Sequence, residues 1–285
     1  MPANTSEYNP RPQGGQNMNI MQRPLLLGVD RPLTLIALRE HSARASSEGF
    51  DGIEWMHPTG PLLLPPGSSP VPHDDTLRVR ALAMRCETVD IPSVVETVSS
   101  QLRAAASLGA KVLNVGIPPV QQGCQGRGFA RYQEGLNFAY ELLHRVRHEA
   151  EATGVALAVE AADGGCLLSP VELREIIDAA NSWAVGACLD AARIALFGAP
   201  ADWLRTLQHR VQAVRLSPSL DEPKHRAAGG DECAEELIRS LDNVPADRPL
   251  IVCGEEAGQW ACRYVRHPVA MHEAQGTDSV CRQRD

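Results

Sequence analysis

Two apolar runs, each closed by a single carboxylate, constrain the fold more than any other feature of the chain: Gly154-Val-Ala-Leu-Ala-Val-Glu160 and Ala184-Val-Gly-Ala-Cys-Leu-Asp190. Between them, Ser169-Pro-Val-Glu172 has the form of a capping box with proline at the first helical position, and Leu173, Ile176, Ile177 and Ala180 follow at helical spacing. The stretch therefore reads as strand, helix, strand, with an acid at the C-terminal lip of each strand. In a parallel barrel those lips are where chemistry is placed, because the loops after the strands converge there over a packed interior.

The same alternation runs along most of the chain. Strands are expected at 25–29, 52–56, 79–84, 111–117, 155–160, 185–189, 211–216 and 249–253. Helical patterns lie between most of them: one from Leu35 to the stop at Gly49, one over 92–108, one over 132–153, one from Pro170, one around Trp203, Leu204 and Leu207, and one over 231–242. On the 132–153 helix, Leu136, Ala139, Tyr140, Leu143, Val146 and Ala150 are expected to face inward. The segment 57–75 and the Gly/Gln-rich stretch 121–128 read as loops. Strands that alternate with helices call for right-handed crossovers, and a single-domain (β/α)8 TIM barrel over 24–257 is the economical solution. An open doubly wound sheet is the competing fold, but no Gly-x-Gly-x-x-Gly follows any strand, which weakens its dinucleotide-binding version. Residues 1–23 read as a disordered arm, with Met18 or Met21 as candidate starts of the folded part, and 258–285 as an irregular tail.

A chain of 285 residues, 44% hydrophobic and 22% charged, can bury a full core. Its net charge of −8 argues against a nucleic-acid binder driven by phosphate neutralisation. No run approaches the ~18 apolar residues of a membrane span and the first residues carry no export core, so a cytoplasmic protein without membrane partners is expected. The eight cysteines form no C-x-x-C pair; Cys188 and Cys253 lie inside strand patterns and read as small core residues.

Gly-Phe-Asp-Gly-Ile-Glu (49–54), Ala-Ala-Ala-Ser-Leu-Gly-Ala-Lys-Val-Leu (104–113), Val-Ala-Leu-Ala-Val-Glu (155–160) and Val-Gly-Ala-Cys-Leu-Asp (185–190), in this order and spacing, resemble the xylose-isomerase-like TIM-barrel superfamily, which holds sugar phosphate isomerases and epimerases. The resemblance implies a divalent-metal site (Mn, Mg or Zn) built from Glu on strand five, Asp on strand six, His on strand seven and Glu on strand eight. Glu160 and Asp190 match the first two positions. The chain departs from the pattern at Arg193, where Asp-x-x-His is usual, and at Arg215, where strand seven usually carries its histidine. The strand-eight glutamate falls near Cys253, with Glu255 just beyond. Arginine offers only donors and stays protonated, so it cannot replace a histidine ligand. The metal set that remains is Glu160, Asp190 and a displaced Glu255, short of what a firm site takes.

The two arginines, with Arg85 from strand three, are expected to project into the mouth that holds Glu160 and Asp190. They either neutralise the carboxylates of a degenerate metal site or bind a small anionic or sugar-like substrate. In the second case Glu160 is the general base beside a carbonyl, and Arg215 and Arg193 stabilise the enediolate oxygen. Glu54, Asn114 and His57 are the further candidates for substrate contact, each with a structural role as the alternative. Trp55 lines the mouth or packs under the loop, and His73 brackets that loop opposite His57. His144 and His148 have zinc-compatible spacing but read as an exposed helix face. Two functions stand: an isomerase or epimerase of a carbohydrate-type substrate, and a catalytically inactive relative that binds a ligand or partner. An endonuclease IV-like activity would need a histidine-rich zinc site that this sequence lacks.

Overall fold

The computed structural model describes residues 23–29, 35–56, 78–120, 128–129, 131–161, 165–216, 236–254, 257–261 and 265. Eight parallel strands close into a barrel in sequence order. They are β1 (Leu25–Val29), β2 (Gly52–Met56), β3 (Val79–Arg85), β4 (Val112–Gly116), β5 (Ala156–Glu160), β6 (Val185–Asp190), β7 (Val211–Leu216) and β8 (Leu250–Val252). Closure is made by β8 against β1, where Leu26 stands opposite Ile251. The barrel expected from the alternation of strands and helices is the fold observed.

The helices between the strands are α1 (Leu35–Ser47), α2 (Ile91–Ser107), α3 (Tyr132–Thr153), α4 (Pro170–Ala180), the short turn α5 (Ala191–Ile194) and α6 (Pro200–Leu207). Of the helix expected over 231–242, residues 231–235 lie outside the described residues, 236–239 are helical, and Leu241–Asn243 form a 3-10 turn. A last helix, α7 (Ala257–Ala261), straddles the boundary expected at 257 and buries Ala257 and Ala261 against the barrel. No helix among the described residues is long and apolar enough to cross a membrane. The N-terminal arm up to residue 22, the loop 57–75 with His57 and His73, the stretch 121–127 and Glu255 lie outside the described residues.

Each strand turns alternate side chains inward and outward. The outward set packs on the helices in one large apolar core with Trp203, Leu102, Leu142 and Leu143. Trp55 belongs to that outer core, so it packs under the helices and does not line the mouth. The inward set is separate and small: Leu26, Ala81, Val112, Ala156, Ala158, Cys188, Ala213, Ile251 and Cys253. Small residues on the inner floor leave space above it for long polar side chains to cross the barrel.

Local signals explain the helices. On α4, the Ser169 side chain accepts from the Val171 N–H at 3.3 Å, and Pro170 occupies the first turn. The Glu172 carboxylate accepts the Tyr132 hydroxyl at 2.7 Å, tying the start of α3 to the start of α4. On α3 the buried stripe is Gly135, Phe138, Ala139, Leu142, Leu143, Val146 and Ala150. Tyr140, expected inward, is exposed and stacks on His144 at 6.1 Å between ring centroids. Phe138 and Leu142 complete the buried face without it. His148 is likewise on the surface, 3.2 Å from Glu151, as an ordinary polar face requires.

Candidate active site

The alternation that buries Ala156 and Ala158 inside the barrel points Glu160 inward at the C-terminal end of β5. By the same count Glu54 of β2, Asn114 of β4, Asp190 of β6 and Arg215 of β7 face the barrel mouth. All five are buried; Glu54 is 1%, Asn114 0%, Glu160 4% and Arg215 4% exposed.

Arg215 joins them. Its Nη1 donates to Glu160 Oε1 at 2.5 Å, its Nη2 to Glu54 Oε1 at 2.7 Å and its Nε to Glu54 Oε2 at 3.3 Å. The contact with Glu54 is the planar two-nitrogen fork that arginine forms with a carboxylate. Asn114 Nδ2 donates to Glu54 Oε1 as well. One guanidinium therefore bridges two buried carboxylates and links β2, β5 and β7, with β4 attached through the amide.

β7 and β2 are not neighbours; β8 and β1 stand between them. The inward residue of β1 at this level is Gly28, paired in register with Glu54. A methyl group there would overlap Cys253 Sγ and lie 3.3 Å from Ile251 Cγ2. Glycine at 28 is thus the consequence of a crowded floor, on which the Cys253 thiol fills the space a side chain would need.

Asp190 faces the mouth too, but its Oδ1 accepts the Ala192 N–H at 3.0 Å and the Arg193 N–H at 3.4 Å. It caps the α5 turn. That turn brings Arg193 back over the barrel, where its Nη1 lies 3.8 Å from Glu160 Oε2. Arg85 is exposed at the end of β3 and adds a favourable charge interaction with Glu160. Of the expected site residues, Glu160, Arg215, Arg193, Asp190, Glu54 and Asn114 are brought together, while His57 and Glu255 lie outside the described residues.

Burial alone would push the Glu160 carboxyl up, yet the charges of Arg215, Arg193 and Arg85 outweigh it and hold the group below its ordinary value. Burial works against the Arg215 cation in the same way, and Glu160 and Glu54 more than offset it, so the guanidinium is fixed in its charged form. Beneath them the Cys188 thiol is pushed well up by burial and stays protonated. Glu160 Oε2 is buried and accepts no hydrogen bond among the described residues. One oxygen of this carboxylate is anchored by Arg215, and the other faces Arg193 without a hydrogen bond among the described residues.

The divalent cation implied by the sequence resemblance does not fit this donor set. A non-ligating, permanently charged group sits between Glu54 and Glu160, and one Asp190 oxygen is committed to a helix cap. Among the described residues no group of three or more His, Cys, Asp or Glu side chains is arranged to hold a metal ion.

A family model described as xylose isomerase-like TIM barrel matches residues 42–269. No curated protein matches the sequence. Among solved structures, L-ribulose 3-epimerase superposes with a TM-score of 0.64 at 14% identity, over 92% of this chain and 100% of that one. D-psicose 3-epimerase from Clostridium cellulolyticum H10, solved with D-tagatose, gives 0.63 at 11% identity, over 85% and 92%. 3-Keto-D-glucoside 4-epimerase from E. coli gives 0.61 at 14%, over 84% and 95%. At these identities the likeness establishes a shared fold.

Proposed function

Since the chain belongs to the xylose isomerase-like TIM barrel family, we propose that it acts on a small sugar-like carbonyl compound as an isomerase or epimerase, with Glu160 as the proton acceptor. The observation that carries this reading is the asymmetry of Glu160: Oε1 is held by Arg215, and Oε2 is buried without a hydrogen bond among the described residues. A base needs this, a fixed direction and an unoccupied lone pair. That the structural neighbours include epimerases of ketose sugars agrees with a carbohydrate-type substrate.

In the proposed step Oε2 takes the proton from a carbon next to the carbonyl. The electrons of the broken C–H bond form the carbon–carbon double bond of an enediolate, and the carbonyl pair moves to its oxygen. The bonds to Glu54 and Glu160 use one hydrogen on each Arg215 nitrogen, which leaves a second on Nη1 and on Nη2 to donate to that oxygen. Arg193 adds a second cation at the rim. Returning the proton from Glu160 to the former carbonyl carbon, while the hydroxyl proton of the neighbouring oxygen passes to the enediolate oxygen and leaves a carbonyl there, completes a 1,2-shift with one carbon base. Inversion at a single carbon would need a second proton donor on the opposite face, and Glu54 is tied to Arg215 and Asn114.

The mouth residues described here carry three carboxylates, Glu54, Glu160 and Asp190, against three guanidinium groups, Arg85, Arg193 and Arg215. A second reading, a relative that binds such a molecule without turning it over, rests on the depressed Glu160 pKa, since the same arginines that keep the carboxylate ionised weaken it as a base.

Incubation with aldo- and ketopentoses and hexoses in D2O separates the two. Deuterium entering the substrate with native protein and not with Glu160→Gln supports the isomerase. Thermal stabilisation by a sugar with no exchange supports binding alone, and exchange that persists in Glu160→Gln overturns the role of Glu160.

A further inference from the structure

We infer that the Arg215 guanidinium is the permanent occupant of the cation position in this barrel, and that its charge between Glu54 and Glu160 is the main barrier to a divalent metal in the mouth. Two carboxylates buried side by side demand a positive charge between them. Here the chain supplies it covalently, from the inward position of β7, with bonds of 2.5 Å to Glu160 and 2.7 Å to Glu54. A metal ion approaching Glu160 would stand beside a fixed positive charge that cannot be neutralised by losing a proton. It would also have to break the fork to Glu54.

The surrounding groups are otherwise of ligating types. Asp190 stands opposite Arg215 in the β6–β7 register. The Cys188 and Cys253 thiols belong to the inward-facing set beneath the bridge, and Glu160 Oε2 has no hydrogen bond among the described residues. Exchanging the guanidinium for an imidazole would remove the charge between the two carboxylates, leave Glu54 without its ion-pair partner and Glu160 with only Arg193 and Arg85, and put a nitrogen ligand among carboxylates and thiols. Such a mixed set suits Zn²⁺ or Co²⁺ better than Mg²⁺. The inference concerns the charge occupying the site and stands or falls independently of any turnover by Glu160.

The test measures metal content and thermal unfolding of the full chain and of Arg215→His after exposure to Zn²⁺, Co²⁺ or Mn²⁺ and removal of free ions. The native chain is expected to retain no stoichiometric ion and to unfold at the same temperature with metal or with chelator. Arg215→His is expected to hold Zn²⁺ or Co²⁺ at one per chain, to unfold several degrees higher with the ion, and to show the visible absorption of protein-bound Co²⁺. If Arg215→His folds only when Zn²⁺ is supplied, the inference is equally supported. A native chain that carries a stoichiometric ion and loses stability on chelation overturns it, as does a folded Arg215→His that takes up no metal.

Discussion

Glu160 is held ionised by three arginines against the effect of its own burial, and this has a definite pH consequence. A carboxyl whose pKa is lower folded than unfolded adds stability above its ordinary value of 4.5, and that stability is lost as pH falls through the lowered folded value. Urea unfolding from neutral pH to about pH 3 should therefore show native protein losing stability more steeply than Glu160→Gln on the acid side. Parallel acid limbs would show that Glu160 carries no such linkage. At this scale much was legible in the sequence: the run lengths and the barrel rule put Glu160, Asp190, Arg193 and Arg215 at strand ends. What the residues alone do not reveal is pairing. Glu54 and Arg215 are 161 positions apart and meet only because the sheet closes, and the cap that engages Asp190 depends on a turn of four residues that no periodicity announces.

Among the elements, the alternation of strands and helices was readable because buried parallel strands are nearly continuous apolar runs and each helix carries its own stripe. Side-chain choices at the margins were not. Tyr140 fits the inward spacing of α3, but Phe138 and Leu142 offer wholly apolar surface on that face. Arg23 shows the same blind spot at the chain's edge. It stands at the end of the segment read as an arm, yet it is buried and donates to the carbonyls of Leu241, Val244 and Pro245 at 2.7, 2.6 and 2.6 Å. It thus clasps the 3-10 turn to the start of β1, beside the β1–β8 seam. Arg23→Met keeps most of the buried stem and orphans those carbonyls. Urea unfolding of this variant should show a loss of about 1.5–3 kcal/mol, the range for bonds from a charged donor; a loss within about 0.5 kcal/mol would mean that the clasp is dispensable.

For the whole molecule, the polar bridge does what a ring of apolar residues does lower down: it joins strands from opposite sides of the barrel. Gly28 makes room for the Cys253 thiol on the floor, and the alanines at 81, 156, 158 and 213 put no long side chain in the space above, where Arg215 reaches Glu54. The eighth strand is only three residues long, and a tie from β7 to β2 spans the seam where pairing is shortest. A bridge of this kind is strongly destabilising when half removed and nearly neutral when removed entirely, because the penalty lies in the charges left behind. The most direct measurement is the unfolding free energy at neutral pH of Arg215→Met beside that of the triple variant Glu54→Gln, Glu160→Gln, Arg215→Met. The bridge predicts a loss of about 3–5 kcal/mol for the single change and recovery of most of it in the triple. A single change costing less than about 1 kcal/mol, the worth of an exposed pair, would contradict it.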